Sequence, residues 1–275
     1  MGIKGLYSCI KPYSTPIEYR LETPVRIGLD AYPFLYKFKH DLDSCIKLFL
    51  QLCEAGHICT LYVDGVPPKE KMEELAHRRQ QKEQAYKQAE ALRVFLNDTE
   101  KSGSLDVEAR TILEKQITAY EVESYSIKRE VRELFLKRVK EETPIPILLC
   151  EGESDNALVK ASLKKEVDVV IANDMDLFVG GVERLWCLGK TNTDPLFLEF
   201  RRSSISKQVG IHPKAWPDVA ILAGYEKTPQ LRRTSVQQAI SWIRYYGCLE
   251  NLFIRRGDLL QSNSMDEFLE ARRFF

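Results

Sequence analysis

The chain has 275 residues, with 40 Lys and Arg against 40 Asp and Glu, so its formal net charge at pH 7 is zero. A hydrophobic share of 44% and a charged share of 29% are typical of a globular protein and exclude a disordered or collagen-like chain. No apolar run approaches the roughly 18 residues of a membrane span, and the N-terminus is too polar for a signal peptide. The balanced charge gives no sign of a nucleic-acid partner. We therefore expect an intracellular protein that does not bind membranes.

The seven cysteines occur singly and include no CxxC pair. Such spacing predicts neither a zinc site nor a disulfide framework, and it favours a reducing compartment.

Four short apolar segments, each followed by carboxylates, predict strands that are buried on both faces. The segments cover residues 25–29, 57–63, 145–150 and 167–172, and they lead into Asp30, Asp64, Glu151 with Glu153, and Asp174 with Asp176. Helical patterns at 42–55 and 155–165 lie between them, which predicts an α/β fold with a mostly parallel central sheet flanked by helices. Because the carboxyl ends of parallel strands meet at one edge, we expect these acids to share one crevice.

Carboxylates that crowd together repel one another, and divalent cations can offset that repulsion. Carboxylate oxygens are hard ligands, which suit Mg²⁺ or Mn²⁺ better than zinc. Two such ions about 3.5–4 Å apart hold the attacking and leaving oxygens when a phosphodiester is hydrolysed. The alternative is that single acids are helix caps or turn residues. That alternative suits Asp155 or Asp168 alone, but it explains six acids at one edge less well.

The remaining strands and helices are less informative. Residues 183–188 and 196–200 predict a hairpin or sheet edge, and helices are expected at 216–224, 236–246 and 266–275.

A charged stretch from residue 69 to 142 separates the second and third predicted strands. Its first helix is expected to stop at a polar breaker over 97–104, and residues 105–142 are expected to form one long amphipathic helix. Two such helices make an arch or lid over a sheet. On charge pattern alone, a solvated helical hairpin without a ligand is the favoured interpretation.

Two cations and one tyrosine lie near these features. Lys71 and Arg78 are seven residues apart and so share one helix face, where they could hold a phosphate beside the metal ions. Taken alone, each would more often be a solvent-facing charge. Tyr36 follows the first strand and could stack on a base, although a core tyrosine is about as consistent with its spacing.

Five sequence blocks, in order, resemble the flap endonuclease/XPG family of structure-specific 5′-nucleases. They are Met-Gly-Ile-Lys-Gly-Leu at 1–6, Ile-Gly-Leu-Asp-Ala at 27–31 with Tyr36, Asp-Gly-Val-Pro-Pro at 64–68 with Lys71 and Arg78, the segment 151–157 at the family's E-A-E-A motif, and Asn-Asp-Met-Asp at 173–176. Residues 221–226 lie where the family has L-L-G-x-D.

The resemblance implies a PIN-like nuclease fold with a helical arch and a C-terminal helical hairpin region. It divides the chain into an N-terminal nuclease region (1–68), an arch (69–142), an internal nuclease region (143–205) and a DNA-binding region (206–275). It also implies two Mg²⁺ ions, replaceable by Mn²⁺, held by acids. The implied metal ligands are Asp30, Asp64, Glu153, Asp155, Asp174, Asp176 and Glu226. Lys71 and Arg78 are the implied catalytic cations, and the implied DNA contacts are Gly2, Tyr36, Arg232 and Arg233.

The chain departs from the family pattern at several points. Asp155 replaces a Glu and Glu226 replaces an Asp, so each keeps its charge with an altered reach. The hairpin at 231–236 has no glycine, which puts the family's monovalent-ion site in doubt.

The expected function is divalent-metal-dependent hydrolysis of DNA in replication, repair or recombination, on 5′ flaps, nicks, junctions or free 5′ ends. The chain carries no sliding-clamp motif, and the expected location is the nucleus, or the host-cell cytoplasm for a viral protein. Two alternatives stay open: a catalytically weakened nucleic-acid-binding scaffold, and a relative that acts on RNA.

Overall fold

The computed structural model describes residues 3–66, 72–102, 106–189, 194–225, 231, 234–260 and 263–275. Gly2, Lys71, Glu226, Arg232 and Arg233 lie outside the described residues. Among the helices of these ranges, none is long and apolar enough to cross a membrane.

Within the described ranges, seven strands form one sheet with the order β1-β7-β6-β5-β2-β3-β4. The strands are β1 (Thr15–Ile17), β2 (Arg26–Asp30), β3 (Ile58–Val63), β4 (Ile147–Leu149), β5 (Val169–Ile171), β6 (Arg184–Leu188) and β7 (Phe197–Arg201). The central run from β4 to β6 is parallel, and β7 pairs antiparallel with both β6 and β1. The predicted parallel sheet and the predicted hairpin are therefore confirmed, whereas β1 was not predicted.

The helices of the described residues are α1 (Leu6–Ile10), α2 (Ala31–Lys37), α3 (Leu42–Glu54), α4 (Met72–Ser102), α5 (Val107–Ser124), α6 (Arg129–Glu142), α7 (Ser154–Leu163), α8 (Asp176–Val179), α9 (Arg202–Val209), α10 (Trp216–Ala223), α11 (Val236–Tyr246), α12 (Leu249–Arg255) and α13 (Met265–Glu270). After α13, a 3-10 turn at Ala271–Phe274 replaces the last part of the helix predicted at 266–275.

The chain divides into two compact units, which we call the sheet unit (Met1–Gly65 and Glu133–Phe275) and the helical unit (Val66–Arg132). The insertion predicted at 69–142 extends past the helical unit, because the last ten residues of α6 belong to the sheet unit. Phe135 of α6 is fully buried there, with its ring 6.1 Å from that of Phe49. The boundaries of the four predicted regions stay a prediction.

The central strands are buried, as their continuous apolar runs predict. The same prediction is wrong for β4, because this strand lies at the end of the sheet order and its Leu148 and Leu149 side chains are exposed. The last four residues of β2, all of β5 and the first four residues of β7 are buried. Gly28 of β2 lets α7 lie close to the sheet, since a Cβ atom at this position would lie only 2.6 Å from Cδ2 of Leu158. This close packing holds the start of α7 near the carboxyl end of β2.

Two predictions about the helical unit are wrong. Residues 105–142 form two helices rather than one, because Tyr125 takes an extended conformation that ends α5. Lys82 of α4 stabilises this break, since its Nζ atom donates to the Tyr125 carbonyl at 2.9 Å and to Ser126 Oγ at 3.0 Å. The predicted break at 97–104 begins too early, because α4 continues to Ser102, and residues 103–105 lie outside the described residues. Within that stretch, Thr99 bonds back to the Phe95 carbonyl, so its polar side chain is accommodated inside the helix.

Candidate metal and nucleic-acid site

The carboxyl edge of the parallel strands carries the first two predicted acids. Asp30 is the last residue of β2, and its carboxylate caps α2 by accepting a hydrogen bond from the Tyr32 amide at 3.3 Å. Asp64 directly follows β3, the neighbouring parallel strand. The register pairs Asp30 with Tyr62, so the two acids end adjacent strands at the same edge.

Ser154, the first residue of α7, joins these two carboxylates. Its amide and its Oγ atom each donate to Asp64 Oδ1 at 2.7 Å, and Oγ also lies 3.3 Å from Asp30 Oδ1. The side chain is buried, as is that of Asp30. One serine therefore contacts both predicted ligands, whose strands lie side by side.

The electrostatics of Asp30 reflect this crowding. Burial raises the pKa of Asp30 well above its usual range, and the negative charges of Asp155 and Asp64 raise this pKa further. Hydrogen bonds from the Tyr32 amide and the Ser154 hydroxyl act in the opposite direction. Asp64 and Asp155 thus lie close enough to Asp30 for their charges to disfavour its ionised form.

Backbone contact holds the turn after β3 against the turn after β4. The Gly65 amide donates to the Gly152 carbonyl at 2.8 Å. A Cβ atom at Gly65 would lie 1.8 Å from the Cys150 carbonyl oxygen, so only glycine fits this approach. This contact places half-buried Glu153, which precedes α7, on a turn that is tied to the turn of Asp64.

The turn after β5 carries Asp174 and Asp176, both half-buried. The Asp176 amide donates to Asp174 Oδ1 at 3.0 Å, and the Leu188 amide at the end of β6 donates to Asn173 Oδ1 at 2.8 Å. These bonds tie the acid-bearing turn to the neighbouring strand.

The residues present fit a hard divalent cation by their chemistry. The predicted metal ligands at this edge all offer carboxylate oxygens, which Mg²⁺ and Mn²⁺ prefer. A cation would offset the charge crowding that raises the pKa of Asp30. Even so, no group of three or more His, Cys, Asp or Glu side chains in the described ranges has the arrangement of a formed metal site. The structure brings Asp30, Asp64 and Asp155 into one environment, and the role of all seven acids as metal ligands stays a prediction.

Of the other predicted site residues, Tyr36 and Arg78 lie in the described part of the chain. Tyr36 lies on α2 with 44% of its surface exposed, which agrees with a stacking platform better than with a core tyrosine. Arg78 lies on α4 in the helical unit. Lys71, Gly2, Glu226, Arg232 and Arg233 lie outside the described part of the chain, although Ser235 near the last two caps α11 by accepting from the Gln238 amide.

Sequence reasoning passed over Ser154 and Asn173. The available signal for Ser154 was a small polar residue between two acids at a predicted helix start, a position that favours hydrogen bonding to nearby groups.

The chain is similar in sequence to curated flap endonucleases. No protein-family model matches the chain. Flap endonuclease 1 of Sulfolobus acidocaldarius is 24% identical over 285 residues, a match that covers 91% of this chain and 75% of that protein. Over nearly its whole length, the chain is therefore similar in sequence to flap endonucleases.

Solved structures of Rad2 and GEN1 share the fold of this chain. The catalytic core of Rad2 in complex with DNA substrate aligns with a TM-score of 0.61 at 15% identity, covering 99% of this chain and 78% of Rad2. Human GEN1 in complex with Holliday junction DNA aligns with a TM-score of 0.59 at 14% identity, covering 99% of this chain and 62% of GEN1. These likenesses place the flap-endonuclease-like sheet and its flanking helices in a nuclease fold.

Proposed function

We propose that this chain is a structure-specific 5′-nuclease that hydrolyses phosphodiester bonds of DNA with the help of divalent cations. The observation that carries the proposal is the contact of Asp30 and Asp64 through buried Ser154, with Asp155 in the same electrostatic environment. This contact lies at the carboxyl edge of the sheet, where α/β proteins bind ligands. The related fold of Rad2, solved with DNA substrate, supports DNA as the polymer.

The acids Asp30, Asp64, Glu153, Asp155, Asp174, Asp176 and Glu226 would hold two Mg²⁺ ions, or Mn²⁺ in their place. When bound, such ions lower the pKa of water and stabilise negative charge on a phosphate. The protein's own part is to hold these carboxylates at one edge, through the cap at Tyr32, the donors of Ser154 and the backbone contact at Gly65.

Lys71 and Arg78 would bind the phosphate, since positive charge stabilises the charge that develops during phosphoryl transfer. Tyr36 has an exposed ring on which a base can stack, and Gly2, Arg232 and Arg233 would contact the DNA backbone. We propose 5′ flaps, nicks, junctions and free 5′ ends as substrates, because the Rad2 and GEN1 structures were solved with DNA substrate and with Holliday junction DNA.

The proposal is tested by incubating the protein with 5′-labelled flap, nicked, four-way-junction and single-stranded DNA in Mg²⁺, Mn²⁺ or EDTA. We expect incision near a junction or 5′ end that requires the metal ion. A matched RNA series separates the RNA-directed alternative. DNA binding without cleavage in either metal would favour the scaffold alternative and overturn the enzyme.

A pair of variants tests the acids at the carboxyl edge of the sheet specifically. Asp174→Asn should abolish cleavage and leave DNA binding largely intact. Asp168→Asn is the matched control, because Asp168 pairs with Arg26 at the opposite end of β2 and β5 and should be dispensable for cleavage. Equal activity of Asp174→Asn and the unchanged protein would contradict the metal-ligand assignment.

A further inference from the structure

Ser154 occupies a position at which the family motif differs from this chain. Glu153 and Asp155 match the two acids of the E-A-E-A motif, so Ser154 takes the place of the alanine between them. Its side chain is 3% exposed, and it lies between the turns that carry Asp30 and Asp64. A hydroxyl group at this position adds a hydrogen-bond donor that alanine lacks.

The two donors of Ser154 have distinct effects. The amide donates to Asp64 Oδ1 whatever the side chain is, and it belongs to the start of α7. The hydroxyl contacts the same Asp64 oxygen at 2.7 Å and Asp30 Oδ1 at 3.3 Å. A hydroxyl has only one proton, so the two carboxylates share this donor, in addition to the backbone amide that each accepts from.

Sharing a donor keeps two mutually repelling groups at a short separation. Two carboxylates repel each other strongly in a partly desolvated environment. Without the hydroxyl, the Tyr32 amide would still hold Asp30 and the Ser154 amide would still hold Asp64, but the carboxylates would no longer share this donor, so the two side chains would be less ordered relative to each other before a cation binds. Reordering reduces affinity, whereas groups held in place before binding do not incur this cost.

We propose that Ser154 is a positioning residue that holds the carboxylates of Asp30 and Asp64 together for a divalent cation before the cation arrives. This inference rests on the proposed function, because it assigns those two carboxylates to a metal site. It goes beyond that function by naming a residue, specific to this chain's version of the motif, that sets how tightly the site binds metal.

The test measures Mn²⁺ binding by isothermal titration calorimetry and by electron paramagnetic resonance, on the full chain without DNA. Ser154→Ala should weaken Mn²⁺ binding about tenfold, as expected when a hydrogen bond that orients a ligand is lost. Ser154→Thr restores the hydroxyl and should restore binding. Ser162→Ala removes a serine hydroxyl eight residues along the same helix and is the matched control.

Cleavage assays give an independent measurement. In Ser154→Ala, the Mg²⁺ concentration for half-maximal cleavage should rise by a similar factor, while the rate at saturating Mg²⁺ stays within about twofold, because the cation then holds the ligands itself. A purely structural role would lower the saturating rate and the thermal stability together. Ser154→Cys keeps the side-chain volume with a weaker donor, and it provides the same test if the alanine variant does not fold.

The outcomes separate the two proposals. Mn²⁺ binding by Ser154→Ala within twofold of the unchanged protein, or tighter, overturns the positioning role even when DNA is cleaved. An unchanged protein that neither binds Mn²⁺ nor cleaves DNA overturns the proposed function itself.

Discussion

The sheet unit and the helical unit are stabilised by different forces. The central strands of the sheet unit are buried, and its helices add fully buried aromatic side chains such as Phe34, Phe49 and Trp216. Within the described part of the helical unit, the buried side chains are Ala85, Ala89 and Ile117. Larger apolar side chains there, including Tyr86, Phe95, Ile112 and Val122, are exposed.

Charged pairs lie along and between the helices of the helical unit. Arg93 of α4 pairs with Glu121 of α5 and with Glu90 of its own helix, and Lys87 pairs with Glu83. Exposed pairs of this kind contribute little each, whereas buried aromatic rings contribute several kcal/mol. One chain thus combines a unit whose structure is determined by a buried core with a unit whose structure depends mainly on local helix formation.

The largest expected effect concerns activity. If the positive charge of Lys71 takes part in the reaction, Lys71→Ala should reduce the cleavage rate on the order of a hundredfold, through lost electrostatic stabilisation. Single-turnover cleavage of a flap substrate measures it, with Arg79→Ala as a control from the same charged stretch. A reduction of less than about threefold would mean that Lys71 is an ordinary surface charge.

The next largest effect is on stability, and it differs between the two units when a phenylalanine in each is replaced by alanine. Phe34→Ala removes a fully buried ring that lies 4.8 Å from Phe49, and it should cost roughly 3–5 kcal/mol of unfolding free energy. Phe95→Ala removes a ring that is 51% exposed and should cost less than about 1 kcal/mol. Urea unfolding followed by tryptophan fluorescence and by circular dichroism measures both.

These two probes also distinguish the units. All three tryptophans, Trp186, Trp216 and Trp242, lie in the sheet unit, whereas α4 and α5 contribute much of the helical signal. We expect helicity to begin to fall at a lower urea concentration than fluorescence. Coincident transitions would show that the two units unfold together, which would contradict a lower stability of the helical unit.

A smaller effect depends on pH and lies in the sheet unit. Hydrogen bonds from Arg272 lower the pKa of Glu250 to about 2, below the value of about 4.3 expected in the unfolded chain. A carboxylate whose pKa is lowered by folding stabilises the protein above pH 4.3, and this contribution is lost as the pH falls towards 2. Glu250→Gln should therefore lose less stability than the unchanged protein between pH 5 and pH 2.

Urea midpoints at several pH values measure this difference. At neutral pH the substitution should cost about 1 kcal/mol, since a partly exposed pair contributes modestly. Parallel pH curves for the two proteins would contradict a stabilising role of the Arg272–Glu250 pair.

The smallest effect concerns the helical unit. Arg93→Ala should lower its stability by less than about 1 kcal/mol, and 1 M salt should remove most of the difference by screening. Helical circular dichroism measures it, with Lys87→Ala as a control that breaks a pair within one helix. A salt-independent loss would indicate that Arg93 packs rather than pairs.

The central strands of the sheet unit could be predicted from the sequence, whereas the helix break in the helical unit could not. The apolar runs that precede Asp30, Asp64 and Asp174 predicted the central strands, because burial on both faces leaves a continuous apolar pattern. The break at Tyr125 could not be predicted, since it depends on a hydrogen bond from Lys82, 43 residues away along the chain. Strand β1 was missed because it has only three residues, includes Pro16 and is partly exposed at the sheet edge.

In the candidate site, the acids were visible from sequence and the group that joins two of them was not. A carboxylate after a strand is recognisable by its position. The bond from Ser154 to Asp30 joins residues 124 positions apart, so only the folded arrangement of β2, β3 and α7 reveals it.

The glycine between Asp64 and the helical unit has a consequence for surveys of mutational tolerance. Any side chain at Gly65 would collide with the carbonyl oxygen of Cys150 and push apart the turns that carry Asp64 and Glu153. A selection for nuclease activity would thus score this position as intolerant as the acids themselves, although glycine has no group that reacts or binds a metal. In such a data set, Gly65 would mark the spacing between two chain segments rather than a participant in chemistry.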